Sequence, residues 1–273
     1  MYNYNIDELI KKANLTRQKL IEITTKVGKG HLGGSLSCID ILTALYFKIL
    51  KYNINNPALD TRDRFILSKG HAAPAFYIIL SMAGYFPEEE LETLAKIDSR
   101  LQGHPDCKKL PGIEISTGSL GQGFSAAVGM ALGYKYDGKN GSRIFCLVGD
   151  GECDEGQIWE AAMFASNYDL KNLTVIVDRN GYQIDGPTES VMKLEPLDLK
   201  WKAFGWEVRK IDGNDMKDVV GSLEESRGKR VAIIAKTIKG RGVSFIENNN
   251  DFHARCCNLE ECRKALEELK GKL

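Results

Sequence analysis

The chain has 273 residues, of which 37 are basic and 37 are acidic, and 43% are hydrophobic. This length can bury a sizeable core, and a net charge near zero argues against nucleic acid or an anionic membrane as a partner. Because the sequence shows neither a leader pattern nor an apolar run of about 20 residues, we expect a cytoplasmic protein with no membrane partner.

Short β-branched runs alternate along the chain with segments of helical periodicity. The predicted strands are 64–68, 143–148, 173–177, 207–211 and 231–235. The predicted helices are 7–25, 38–50, 73–83, 88–97, 122–136, 156–168, 215–227 and 258–270. Nearly all-apolar strands are typical of a sheet covered on both faces, and their alternation with helices favours a parallel sheet. We therefore expect an α/β fold, with residues 1–273 forming a single three-layer α/β/α domain around a mostly parallel sheet.

Seven cysteines raise the question of a disulfide framework or a metal site. Their number is odd and most are scattered, and the group formed by Cys256, Cys257 and Cys262 lacks the paired spacing of a zinc site. We expect reduced, structural thiols.

Polar side chains follow two consecutive predicted strands. Asp150 lies in the turn Gly149-Asp150-Gly151 after strand 143–148, and Asn180 follows the next strand. Ligands of parallel sheets bind at the carboxyl ends of the strands, and carboxylate and amide oxygens suit Mg²⁺ or Ca²⁺. The pattern indicates a divalent cation that holds a diphosphate, with an ordinary turn capped by Asp150 as the alternative.

A Gly-Asp-Gly turn followed at this interval by an asparagine resembles the thiamine diphosphate motif. Five blocks are similar, in the same order, to the diphosphate-binding half of a transketolase: RFILSKGHAAPAFY, RLQGHPD, STGSLGQGFSAAVGMALG, VDRNGYQIDGPTE and KTIKGRGVSFIENN. The resemblance runs from about residue 10 to 253. It implies the thiamine-diphosphate-binding fold, thiamine diphosphate with Mg²⁺ (Ca²⁺ or Mn²⁺ could substitute), and transfer of a two-carbon ketol unit from a ketose to an aldose.

The resemblance also implies roles for individual residues. The implied cofactor-binding residues are His71, Gly118, Leu120, Gly149, Asp150, Gly151, Glu152, Asn180 and His253. The implied metal ligands are Asp150, Asn180 and the backbone carbonyl of Tyr182. Gly151 would donate its backbone N–H to the diphosphate, and Glu155 matches a family glutamate at the contact between chains.

The chain has only four histidines, His31, His71, His104 and His253, and none of them lies inside a regular helical or strand pattern. Catalytic groups are often carried on loops, and histidine exchanges protons near neutral pH. The resemblance implies catalytic roles for all four. The first three would contact the hydroxyls of the donor ketose, and His253 would assist proton transfer at the reacting carbonyl.

The segment after His253 departs from the family pattern. Relatives usually continue with Gly and then Lys-Ala-Pro, whereas this chain has Ala254 and Arg255. A related sugar-building enzyme, or one similar to 1-deoxyxylulose-5-phosphate synthase, stays open as an alternative. A third alternative is an assembling subunit without chemistry, although Asp150, Asn180 and the four histidines argue against a decayed site.

In the family, the catalytic glutamate comes from a pyrimidine-binding domain that follows the part seen here. The chain ends after a helix rich in Glu and Lys, which favours one subunit of a split transketolase over a piece of a longer enzyme. We expect a partner subunit with the pyrimidine-binding domain, an α₂β₂ assembly, and a site at the contact between chains. The sequence does not identify the sugar or sugar phosphate substrates.

Overall fold

The computed structural model describes residues 4–139 and 141–271. The helices are α1 (Ile6–Val27), α2 (Leu32–Ser37), α3 (Ile39–Ala44), α4 (Ala73–Met82), α5 (Gln122–Tyr136), α6 (Gly156–Asn167), α7 (Thr188–Val191), α8 (Leu197–Ala203), α9 (Met216–Glu225) and α10 (Leu259–Lys270). The strands are β1 (Arg64–Leu67), β2 (Ile144–Gly149), β3 (Leu173–Arg179), β4 (Tyr182–Gln183), β5 (Gly186–Pro187), β6 (Glu207–Asp212) and β7 (Val231–Lys236).

Five strands form the central sheet, in the order β1-β2-β3-β7-β6, and every neighbouring pair is parallel. In the register of β2 and β3, Gly149 lies opposite Asp178. The residues that follow these two strands therefore emerge side by side at the carboxyl edge of the sheet. The predicted parallel sheet is confirmed, and all five predicted strands belong to it.

The strands alternate their side chains between two hydrophobic cores, one on each face of the sheet. In β2, for example, Phe145 and Leu147 belong to one core, and Cys146 and Val148 belong to the other. Helices α1, α2, α3, α4, α9 and α10 contribute to the first core, and α5, α6 and α8 to the second. The predicted α/β/α layering is confirmed, since apolar strands are buried by helices on both sides.

Hydrogen-bonded caps set the ends of the longest peripheral helices. Asn5 and Glu8 form a reciprocal capping box at the start of α1, and Asn258 and Glu261 form another at the start of α10. Each box satisfies backbone N–H groups that the first turn leaves without a partner. Helix α1 ends at Gly28, whose φ of 69° suits a residue without a Cβ.

Several predicted boundaries were wrong. A helix does not cover 88–97; instead a 3₁₀ helix spans Glu88–Thr93, because Ala95 and Asp98 adopt positive φ angles of 55° and 63° that break a helix. The predicted helix 38–50 is α3 followed by a π-helical stretch, Leu45–Ile49. The prediction missed α2, α7, α8 and the short antiparallel pair β4–β5 because these elements are too short for a clear periodicity.

All seven cysteines are free thiols, and none of them forms a disulfide. Within residues 4–139 and 141–271, no helix is both long enough and apolar enough to cross a bilayer.

Candidate active site

A cleft of about 370 Å³ opens at the carboxyl edge of the sheet. The residues lining it are His31, Gly34, Lys69, His71, Gly118, Leu120, Gly149, Asp150, Gly151, Glu152, Asp154, Glu155, Asn180, Tyr182, Gln183, Ile184, Lys239 and His253. Every predicted site residue lines the cleft except His104, whose ring centroid lies 6.1 Å from that of His31. The fold therefore brings residues separated by more than 200 positions to one place.

The carboxylate of Asp150 is buried and held by donors from two turns. Its Oδ1 accepts the backbone N–H of Gly151 at 2.9 Å, and its Oδ2 accepts that of Gly181 at 2.6 Å. The guanidinium of Arg179 donates to the same Oδ2 at 3.1 Å. Both lone pairs of Oδ2 are thus engaged in the carboxylate plane, whereas Oδ1 keeps one for a further partner.

Burial raises the pKa of the Asp150 carboxyl to about 6, and the nearby charge of Asp178 acts in the same direction. The donors from Gly181 and Arg179 act against this shift. A carboxylate whose negative charge is disfavoured by burial and by a second carboxylate gains from a cation at the same place.

The side-chain amide of Asn180 has a defined orientation. Its Nδ2 lies 3.3 Å from Oδ2 of Asp178, and its Oδ1 accepts the backbone N–H of Tyr182 at 3.1 Å. A carboxylate only accepts hydrogen bonds, so the side-chain nitrogen of Asn180 must face Asp178. The side-chain oxygen of Asn180 then faces away from Asp178. One lone pair of that oxygen stays available.

Beneath these groups, Asp178 and Lys69 form a fully buried ion pair. Lys69 also donates to the carbonyl of Gly34 at 2.9 Å, and the hydroxyls of Ser37 and Thr237 donate to the Asp178 carboxylate. Burial alone would lower the pKa of Lys69, but Asp178 outweighs it and the pKa is raised. Lys69 is therefore a cation at the floor of the cleft.

Three of the four histidines have ring centroids within 6 Å of one another on the wall of the cleft. The centroids of His31 and His71 are 5.5 Å apart, those of His71 and His253 5.7 Å, and those of His31 and His253 5.9 Å. Burial lowers the pKa of all three, that of His253 to about 4, and neighbouring cations lower it further. The imidazoles are therefore neutral at pH 7 and can both donate and accept a hydrogen bond.

Lys239 approaches the histidines from the loop after β7. Its Nζ lies 2.6 Å from Oδ1 of Asn250 and 3.0 Å from Nδ1 of His253, and 5.4 Å from the ring centroid of Tyr182. Burial and the charge of Lys69 lower the pKa of Lys239 to about 8. At neutral pH this cation donates to Nδ1 of His253, which places the imidazole proton on Nε2.

Comparison with known proteins shows the family of the chain. A family model described as the thiamine diphosphate binding domain of transketolase matches residues 10–271. The chain belongs to the transketolase family.

The similar transketolases include chains of about the same length as this one and chains more than twice as long. The 6-deoxy-6-sulfo-D-fructose transketolase subunit of Clostridium sp. (strain MSTE9) is 46% identical over 96% of both chains. An apulose-4-phosphate transketolase subunit of Actinobacillus succinogenes is 44% identical over 99% of both chains. The transketolase structure from Campylobacter jejuni superposes on 98% of this chain with a TM-score of 0.92 at 34% identity, but this chain covers only 43% of it. The predictions of a transketolase subunit, of an enzyme and of the fold are confirmed.

The transketolase cleft fits a metal-bound diphosphate. Asp150 and Asn180 each keep one oxygen lone pair, which suits a hard cation such as Mg²⁺. Lys69 and Lys239 supply positive charge for phosphate oxygens. The Oε1 atom of Gln183 is buried at the cleft and accepts no hydrogen bond from any described residue. It could accept one from a metal-bound water or another donor of a ligand, but not from an ionised phosphate oxygen.

Sequence reasoning missed four charged residues of this transketolase site: Lys69, Asp178, Arg179 and Lys239. The two lysines lie within blocks that resemble the family, in SKGH and TIKGRG. The surrounding sequence does not show that either lysine is buried. Lysine is almost never fully buried unless it is paired, and the acidic partner of Lys69 lies 109 positions away. Only the folded sheet brings that pair together.

Proposed function

We propose that the chain is the diphosphate-binding subunit of a two-chain transketolase that uses thiamine diphosphate and Mg²⁺. The observation that carries the proposal is the convergence of Asp150 and Asn180, from adjacent strand ends, on a cleft lined by neutral histidines and two lysines. In this proposal residues 1–273 form one domain, and the pyrimidine-binding domain belongs to a partner chain.

In the proposed site, Mg²⁺ is held by the free oxygen lone pairs of Asp150 and Asn180 and by the carbonyl of Tyr182. Ca²⁺ or Mn²⁺ would take the same oxygen ligands. Gly118, Leu120, Gly149 and Gly151 would surround the diphosphate, with Glu152 beneath them. The backbone N–H of Gly151, which donates to Oδ1 of Asp150, would be shared with a phosphate oxygen. His71 and His253 would also contact the cofactor.

When bound, thiamine diphosphate supplies the nucleophilic carbon that breaks and rebuilds the bond beside a ketose carbonyl. The chain supplies the groups around the sugar. His31, His71 and His104 would hydrogen-bond the hydroxyls of the donor ketose, since neutral imidazoles can match either a donor or an acceptor. His253, with its proton on Nε2, would transfer a proton at the reacting oxygen.

Chain length supports a partner subunit. Two relatives named as transketolase subunits match this chain over nearly their whole length, whereas the Campylobacter jejuni enzyme is more than twice as long. The catalytic glutamate that the family takes from the pyrimidine-binding domain would therefore come from a second chain. An α₂β₂ assembly in the cytoplasm is the arrangement that we propose.

Exposed apolar side chains, one of them at the cleft, support a contact with that partner. Ile184 lines the cleft and is 67% exposed, and Met192 and Leu199 on the following segment are 60% and 55% exposed. On α6, which begins next to the cleft, Met163 is 57% exposed. Large apolar side chains in contact with water are typical of surfaces that another chain covers.

Purification from the native cells tests the proposal. The tagged chain should co-purify with a second chain that carries the pyrimidine-binding half, and the pair should transfer a two-carbon ketol unit from a ketose to an aldose. The isolated chain should be inactive. A pair that binds no thiamine diphosphate, or a chain that is fully active alone, would contradict the proposal.

A related sugar-building reaction is the second candidate, and the segment after His253 favours it. Arg255 stacks on Phe252, with 4.0 Å from its guanidinium carbon to the ring centroid, and both its terminal nitrogens pair with Glu261 at 2.9 Å. This loop therefore has its own structure in place of the usual Gly-Lys-Ala-Pro. A product assay should compare pyruvate with free, phosphorylated and sulfonated ketoses as donors. If pyruvate is the only one of these donors that gives product, an enzyme similar to 1-deoxyxylulose-5-phosphate synthase would be favoured.

A further inference from the structure

The carboxylate of Glu152 joins three chain segments at the floor of the cleft, namely the turn after β1, the amino end of α5 and the last residue of β2. Its Oε1 accepts the hydroxyl of Ser68 at 2.5 Å and the backbone N–H of Gly121 at 2.9 Å. Its Oε2 accepts the backbone N–H of Gly149 at 2.9 Å. Only 2% of Glu152 is exposed, so no bulk water competes for these bonds. We call this arrangement the Glu152 junction.

Each segment of the Glu152 junction leads directly into candidate cofactor contacts. Ser68 precedes Lys69 and His71, Gly121 follows Leu120, and Gly149 precedes Asp150 and Gly151. One carboxylate therefore sets the mutual positions of three chain segments that meet at the proposed diphosphate. Their sequence positions are far apart. The backbone N–H of Ser68 also donates to the carbonyl of Leu147 in β2, so Glu152 strengthens the contact between the ends of β1 and β2 and extends it to the start of α5.

The segments at the junction are also packed at backbone distance. A Cβ on Gly123 would lie 2.7 Å from Cα of Ser68, and a Cβ on Gly70 would lie 2.8 Å from the backbone nitrogen of Gly118. Contacts this close tolerate no shift of one segment toward another. A change in the position of one segment is therefore transmitted to the others.

The backbone N–H groups of Gly121 and Gly149 donate to different oxygens of Glu152, so the junction needs an acceptor at each carboxylate oxygen. An amide group would replace one of these acceptors with a donor and leave a buried N–H without an acceptor. The negative charge also lies at the amino end of α5, where Gly121 has no side-chain cap.

We propose that Glu152 is a positioning residue, which holds the three segments in the geometry that binds the cofactor and does not itself contact the diphosphate. This refines the role that the family resemblance implies for Glu152. It rests on the proposed use of thiamine diphosphate. Since Glu152 is buried and an ionised carboxylate carries no donor, it has no hydrogen bond to offer to the oxygens of a phosphate group.

The test compares Glu152→Gln with the unmodified chain, each assembled with its co-purified partner. Calorimetry with thiamine diphosphate and Mg²⁺ should show a dissociation constant raised roughly tenfold to hundredfold, because a buried donor loses its acceptor. At saturating cofactor, kcat should fall by a smaller factor than the affinity does, since the glutamine touches no reacting atom. Glu224→Gln, on the exposed side of α9, is the matched control and should change neither quantity.

Hydrogen exchange on the cofactor-free chain gives a readout that does not depend on activity. The amides of Gly121 and Gly149 should exchange at least about tenfold faster in Glu152→Gln, while those of α9 stay unchanged. A general loss of stability would instead speed exchange in both regions. Ser68→Ala removes one donor and keeps the charge, so its cofactor affinity should fall only about threefold to tenfold.

The outcomes separate the two proposals. If the unmodified assembly does not bind thiamine diphosphate, the proposed function and this inference both fail. If it binds and Glu152→Gln binds equally well, only the inference is overturned. If Glu152→Gln does not fold, Ser68→Ala decides, and an unchanged dissociation constant in that variant overturns the inference.

Discussion

The ammonium group of Lys239, on the loop after β7, lies 3.0 Å from Nδ1 of His253. Both groups have lowered pKa values, about 8 for Lys239 and about 4 for His253, and burial is the main cause in each case. Between these values the lysine is charged and the imidazole is neutral. The hydrogen bond from Lys239 to Nδ1 then keeps the proton of His253 on Nε2. In the proposed site, Nε2 is the ring nitrogen that would contact a substrate oxygen.

This pair predicts an alkaline limb in the activity profile. As Lys239 loses its proton above about pH 8, its hydrogen bond to His253 no longer defines the tautomer. We expect kcat/KM of the assembled enzyme to fall by about tenfold per pH unit above that value. Lys239→Met should remove the limb and lower kcat/KM at pH 7. A limb that persists in Lys239→Met would assign it to another group.

The neutral histidines predict how stability responds to acid. The pKa of His253 is about 4 in the folded chain against an ordinary 6.5, so the unfolded chain binds more protons between these values. Stability should therefore fall as pH drops from 6.5 to 4. Buried carboxyl groups such as Asp150, whose pKa is raised to about 6, act in the opposite direction.

Comparison with His253→Gln isolates the contribution of the imidazole. Urea unfolding at pH 7 and at pH 4.5 should show that the unmodified chain loses more stability on acidification than the variant does. Equal losses in the two chains would show that His253 is not buried as a neutral group.

Two glycines predict opposite effects of the same added methyl group. A Cβ on Gly70 would lie 2.8 Å from the backbone nitrogen of Gly118, so Gly70→Ala should destabilise the chain by about 1–3 kcal/mol. Gly221 lies inside α9, where an added Cβ would meet no atom within 4 Å, so Gly221→Ala should stabilise by about 0.5–1 kcal/mol. Urea unfolding measures both. A neutral Gly70→Ala would mean that the loops are not in contact.

Arg179 connects helix α7, which follows β5, to the carboxylate of Asp150, the proposed metal ligand. It bonds Oδ2 of Asp150 at 3.1 Å and Oε1 of Glu189 at 2.7 Å, and its side chain is only 12% exposed. Arg179→Met should therefore speed hydrogen exchange in α7 by at least about threefold. Arg209→Met, which removes ion pairs on the exposed edge strand β6, should leave α7 unchanged. Equal protection of α7 in both variants would contradict the link.

The sequence located the strands and the residues at their ends because both depend on local pattern. Asp150 and Asn180 each lie close after an apolar run. A parallel sheet places such positions at one edge. The helix predicted at 88–97 was wrong because positive φ angles leave no trace in hydrophobic periodicity. The Lys69–Asp178 pair was missed since its partners are joined only by the register of the sheet.

Binding of thiamine diphosphate to the assembled enzyme tests the central claim most directly. Calorimetry with Mg²⁺ should show saturable binding by the unmodified assembly. Asp150→Asn should weaken it by on the order of 100-fold, because the carboxylate ligand of the cation is lost. Asp98→Asn, an exposed position where asparagine tolerates the positive φ, is the matched control and should bind normally. Equal affinity in Asp150→Asn would contradict a metal-bound diphosphate at this cleft.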